Sequence, residues 1–134
     1  MGLDQMAFAV RPAVSHLIEE YNSQGDLTPT QEQIMQDGLE PIASWRKHAN
    51  LNEFMSQLWE ERTGNAEFNC NYLKLTSEDI DDLEDATLKD ELPHGVGFFW
   101  GETQDWHKEE TLEFIASARN AIAQGKDVFY YCWW

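Results

Sequence analysis

Apolar residues recur along the chain at two spacings, and the switches between those spacings mark out short elements. Residues 5–10 place Phe8 and Val10 on one side of an extended segment, which predicts a strand. Pro12 then opens a helix over about 13–23, with Val14, Leu17, Ile18 and Tyr21 on one face. The turn-rich stretch Ser23-Gln-Gly-Asp-Leu-Thr-Pro29 follows, and Pro29 and Gly38 bracket a short second helix over 29–37. Leu51, Phe54, Met55, Leu58 and Trp59 recur at helical spacing behind Asn50, a candidate N-cap, and Gly64 is placed to end that helix.

Further on, Phe68, Tyr72, Leu73 and Leu75 point to a strand over 70–75. Thr76 or Ser77 can cap the next helix, where Ile80, Leu83 and Leu88 face inward while Glu78, Asp81, Asp82 and Asp85 face out. The glycine-bounded aromatic run Val96-Gly-Phe-Phe-Trp100 reads as a strand, and Leu112, Phe114, Ile115, Ala118 and Ile122 make a helix over 106–124. Residues 128–133 alternate two apolar faces, as in a strand covered on both sides. Strands and helices in this order give an α+β fold, a small mixed sheet of about four strands packed with amphipathic helices in a single domain over 1–134.

Charge narrows the function. The 134 residues hold 25 acidic and 9 basic side chains, a net charge of −16, which argues against direct binding to nucleic acid or to an anionic membrane surface. No apolar run is long enough to span a bilayer, and the first ten residues lack the basic start and apolar core of a signal peptide. Two cysteines outside any CxxC pair fit a reducing cytoplasm, and their apolar settings fit buried thiols better than nucleophiles beside His48 or His94. Most of the negative charge lies in two windows: 78–91 carries −7 and 102–113 carries −4. Glu78, Asp81, Asp82 and Asp85 share one helical face, and with Glu109, Glu110 and Glu113 they form a candidate surface for a basic protein partner.

Motifs for catalysis are absent. There is no GxxxxGK[ST], the glycines at 95, 97 and 101 have the wrong spacing for a phosphate loop, and His16, His48, His94 and His107 lack zinc-site spacing. No cofactor or metal is therefore expected, and the four histidines read as surface or capping residues. The one basic cluster, Trp45-Arg-Lys-His48, gives the alternative reading, a small enzyme or anionic-metabolite-binding domain: Arg46 and Lys47 beside His48 and Trp45 at a helix start suit an anionic metabolite, with Gly97–Gly101 as the other wall.

An ordered set of motifs carries a resemblance. MGLD at the start, Trp45-Arg-Lys-His-Ala-Asn-Leu51, Phe54-Met55, Ala66-Glu-Phe-Asn-Cys70, Leu75-Thr76, Leu92-Pro93-His94, Gly97-Phe-Phe-Trp-Gly101 and the final Tyr-Cys-Trp-Trp resemble a family of small acidic proteins of tailed bacteriophages and prophages. The likeness covers most of 45–134, with 11–44 as a variable helical insertion. That family has no established activity. Some members carry the label phosphoglycerate kinase, a far longer two-domain enzyme whose nucleotide site has no counterpart in this sequence. The resemblance implies an accessory protein acting in the host cytoplasm. It implies a non-enzymatic binder that inhibits or redirects a basic host protein, with nucleic-acid mimicry as a narrower form of the same idea.

Overall fold

The computed structural model describes residues 2–23, 25–97 and 100–134. Its elements run β1 (Asp4–Val10), α1 (Pro12–Asn22), α2 (Pro29–Asp37), β2 (Glu40–Arg46), α3 (Ala49–Thr63), β3 (Tyr72–Leu75), α4 (Ser77–Leu88), α5 (Trp106–Ala123) and β4 (Asp127–Trp133). Local chemistry sets the helix boundaries. Pro12 and Pro29 occupy the first turns of α1 and α2, where a missing N–H costs nothing. Thr28 and Thr76 close capping boxes with Gln31 and Asp79, and Gly64 takes the left-handed conformation (φ 71°) that ends α3. The cap of α3 is His48, not Asn50, which lies one residue inside the helix.

The fold is α+β, with four strands in the order β2-β1-β4-β3. All three ladders are antiparallel, so the sheet is not mixed. Alternation along the strands sends two sets of side chains to opposite faces. Phe8, Val10, Tyr72 and Phe129 pack with Val14 and Ile18 of α1 and Met35 of α2. Ala7, Trp45, Leu73, Leu75, Val128 and Tyr130 pack with α3, α4 and α5 through Leu51, Met55, Ile80, Leu83, Phe114 and Ile115. Helices thus cover both faces of β4, as its apolar alternation requires. Segment 11–44 supplies one of these two layers and also most of β2.

Two strand assignments differ from the sequence reading. β2 contains Pro41 and few apolar residues, so it does not read as a strand; it is tolerated because it lies at the sheet edge, and a bulge adjusts its register between Ala7 and Phe8 of β1. The expected strand at 96–100 is not seen in its described residues. Val96 and Gly97 lie outside any strand, and the Trp100 amide donates to the Gly97 carbonyl at 3.1 Å in a turn, while Phe98 and Phe99 fall outside the described residues. Gly97 lies against the Trp100 indole, which is buried against Trp134. The glycines of this run serve close packing.

Gly95 shows the same constraint more sharply. Its amide donates to Asn50 Oδ1 at 2.9 Å, and a Cβ there would lie 2.1 Å from the Ala49 carbonyl oxygen, a backbone atom that cannot rotate away. Gly95→Ala is expected to destabilise the fold by about 2 kcal/mol through overpacking. Urea denaturation measures it; a loss below about 0.5 kcal/mol, the size of an ordinary surface change, would mean that the 93–97 loop is not seated on α3.

Candidate functional site

The site begins with one buried polar residue of β1. Gln5 cannot face the core without partners, and it finds them across the molecule. Its Nε2 donates to the His48 carbonyl (3.0 Å) and to Tyr130 Oη (2.8 Å), and its Oε1 accepts the His48 N–H (2.9 Å). Tyr130 in turn donates to Asn52 Oδ1 at 2.7 Å. This chain pins the start of α3 to the centre of the sheet.

His48 is buried and stacks on His107 of α5, with ring centroids 4.5 Å apart and planes 6° from parallel. His107 accepts the Gln104 N–H on Nδ1 (2.8 Å) and donates from Nε2 to the Arg46 carbonyl (2.9 Å), which selects one tautomer. His48 Nδ1 meets Thr103 Oγ1 at 2.9 Å, and that hydroxyl also accepts the Asn50 N–H. His48 Nε2 has no partner among the described residues. Burial first, and then the neighbouring His107, lower the His48 pKa from an ordinary 6.5 to about 3.

A hollow lies on each side of the stack. His48 lines a small one of about 190 Å³ with Thr87, Thr103, Asp90, Asp105 and Lys108. His107 lines a larger one of about 500 Å³ with Arg46, Lys47, Gly101, Glu102, Gln104 and Trp106. The four residues of the alternative basic site therefore separate. Arg46 and Lys47 are exposed at the larger hollow, whereas Trp45 and His48 are buried behind them. Trp45 donates from Nε1 to Thr111 Oγ1 (3.2 Å) and packs edge-on against Phe114, so its indole is part of the core. Gly101 joins the hollow; Gly97 is not among its lining residues.

The acidic windows come together through helix packing. α4 and α5 lie side by side and antiparallel: Arg119 of α5 reaches Asp81 and Glu84, each at 2.8 Å, while Lys108 near the other end of α5 reaches Asp90 at 3.2 Å. The hydrogen bonds from Arg119 hold the Glu84 carboxyl below its ordinary range. Asp85 pairs with Lys89. Glu78, Asp82, Glu109 and Glu113 are exposed and Glu110 half-buried, and none of these five makes an ion pair among the described residues. Part of the carboxylate face is thus neutralised internally, and part is open.

His48 and His107 are not surface residues, although His16 and His94 are. Their burial was available from helical spacing. His48 extends the Asn52, Met55 and Trp59 stripe of α3 backward, and His107 extends the Thr111, Phe114, Ile115 and Ala118 stripe of α5. The same spacing leaves Trp106 off the inner stripe. Both thiols are free, with Cys132 buried and Cys70 half-buried, and burial pushes the Cys132 pKa up. Among the described residues no three His, Cys, Asp or Glu side chains converge as metal ligands, and no helix is long and apolar enough to cross a membrane. No protein-family model, curated protein or solved structure matches the chain.

Proposed function

We propose that this protein is a non-enzymatic binder that meets a basic protein partner through the open carboxylates of α4 and the first half of α5. The observation that carries the reading is the juxtaposition of the two acidic windows, far apart in sequence, on neighbouring antiparallel helices. Charge of one sign gathered on one surface speeds encounter with an oppositely charged partner and disfavours like-charged ones. The resemblance to small phage proteins supplies the setting, a host cytoplasm in which the partner is a basic host protein that is inhibited or redirected. A partner that itself holds nucleic acid fits best, because carboxylates at helical-turn intervals can take the place of backbone phosphates.

Four substitutions test this without disturbing the internal ion pairs: Glu78→Gln, Asp82→Asn, Glu109→Gln and Glu113→Gln together. The wild-type protein, immobilised in bacterial lysate, is expected to retain a basic protein identifiable by mass spectrometry. Affinity for that protein, measured with purified components, is expected to fall at least about tenfold in the quadruple variant, and the wild-type affinity to fall as salt rises. An unchanged affinity in a folded quadruple variant would refute the acidic-face reading.

A further inference from the structure

We propose that the larger hollow, between the β2–α3 corner and the start of α5, binds a small aromatic phosphate of the nucleoside monophosphate class. This proposal is independent of the acidic-face reading and uses the opposite sign of charge. Its first support is where the cations are left open. Of the nine basic residues, Arg62, Lys74, Lys89, Lys108, Arg119 and Lys126 each pair with a carboxylate. The other three make no ion pair among the described residues: Arg11 stands at the opposite end of β1, and Arg46 and Lys47 are adjacent and exposed, although Glu102 lines the same hollow and Asp4 and Glu110 line a neighbouring one with Arg46. In a chain with 25 acids, two neighbouring cations without carboxylate partners are held apart by the fold.

The backbone shows how they are held. Lys47 is in the left-handed region at φ 57°, a conformation unfavourable for a residue other than glycine. Its N–H donates to the Leu3 carbonyl at 2.9 Å, which fixes that geometry. Its stem crosses Gly101, itself at φ 72°, where a Cβ would lie 3.0 Å from Lys47 Cδ. Arg46 is anchored through its carbonyl by His107. Two tied backbone positions therefore present the two cationic side chains to one hollow.

The third observation is aromatic. Trp106 is 62% exposed on a helix whose other large apolar residues point inward, and it lines the hollow beside the two cations. An indole face exposed next to an arginine and a lysine suits a ring carrying a phosphate: bases stack favourably on aromatic side chains, and guanidinium–phosphate bonds are charge-assisted. Trp106 is also the first residue of the 18-residue helix α5, whose N-cap Asp105 makes no side-chain cap, so the positive end of the helix dipole adds to the same field. The volume of about 500 Å³ falls within the range of small-molecule sites, whereas the 190 Å³ hollow at His48 is below it.

The net charge selects a monomer over a polymer. At physiological salt, fields from exposed charges fade over about 8 Å, so a small phosphate in direct contact with Arg46 and Lys47 is shielded from most of the acidic surface, with Glu102, Asp105, Asp4 and Glu110 as the near opposing charges. A nucleic-acid strand would also have to cross the acidic surface around the hollow.

The test uses adenosine 5′-monophosphate as probe, followed by calorimetry and by the indole N–H signal of Trp106 in NMR spectra up to about 10 mM, where millimolar affinity is still readable. Binding is expected to shift that signal, with adenosine or inorganic phosphate alone at least about tenfold weaker. Lys47→Gly removes the cation while relaxing the backbone, and Trp106→Ala removes an exposed ring, so both variants are expected to fold and to bind at least about fivefold more weakly. Lys89→Ala, outside the hollow, is expected to bind as the wild type does. The proposal is overturned if the nucleotide does not bind, if phosphate alone binds as tightly, or if folded Lys47→Gly and Trp106→Ala retain full affinity.

Discussion

Gln5→Leu is expected to lower stability by about 3 kcal/mol and the melting temperature by about 10 °C. Leucine matches the burial of Gln5 but none of its chemistry. The substitution strands the His48 N–H, which has Gln5 Oε1 as its partner, and removes one of the two hydrogen bonds of the fully buried Tyr130 hydroxyl. A buried donor left unsatisfied costs about 1–3 kcal/mol, and the second lost bond adds to it. The His48 carbonyl fares better, because it still accepts the Asn52 amide of α3. Chemical denaturation with an unchanged m-value measures the difference. A loss below about 1 kcal/mol, the size of a single ordinary hydrogen bond, would show that water or a local shift replaces the Gln5 contacts.

The second large effect is pH dependence at His48. Its folded pKa of about 3 lies below the ordinary 6.5, so between those values the unfolded chain binds a proton that the folded chain refuses. Stability from this group is therefore complete above pH 6.5 and drains away as pH falls toward 3. By pH 4.5 the deficit reaches about 3 kcal/mol, two pH units at about 1.4 kcal/mol each. His107 from α5, the Asp90–Lys108 pair and Asp105 are the titratable groups around it. Acidification also relaxes the repulsion among 25 carboxylates, which acts in the opposite direction, so the difference between the wild type and His48→Gln isolates the histidine. Imidazole NMR signals of His48 are expected to stay neutral down to pH 5, and a midpoint near 6.5 would contradict the burial argument.

Elements whose chemistry is local were legible in the sequence. Pro12, Pro29, Thr76 and Gly64 carry their boundary signals in themselves, and β1 and β4 carry the two-residue period of strands. What depended on neighbours was not. β2 is a strand only because β1 offers it an edge, and Pro41 conceals it. Val96 and Gly97 look like strand residues but serve a turn against Trp100. At the site, the acidic windows and the Arg46–Lys47 pair were visible as charge. The antiparallel packing of α4 on α5, and the arrival of Trp106 and His107 beside the cations, depend on tertiary contacts. The histidine stack lies between, since helical spacing already placed each ring on an inner stripe.

The strand order β2-β1-β4-β3 has a consequence for how the chain reaches this state. β1 and β2 come from residues 4–46 and β3 and β4 from residues 72–133, so one ladder, Asp4↔Trp133 through Val10↔Asp127, stitches the two regions together. Each flanking ladder closes a much shorter loop than this one. Closure entropy grows with loop length, and non-local pairing slows folding, so the central ladder is expected to form last. Before it zips, β1 and β4 each expose an unpaired edge rich in aromatic and aliphatic side chains, the kind of edge that pairs with the wrong chain. The most hydrophobic strand, β4, is thus the one most dependent on its distant partner, and the strong negative charge of the rest of the molecule keeps other copies away while it waits.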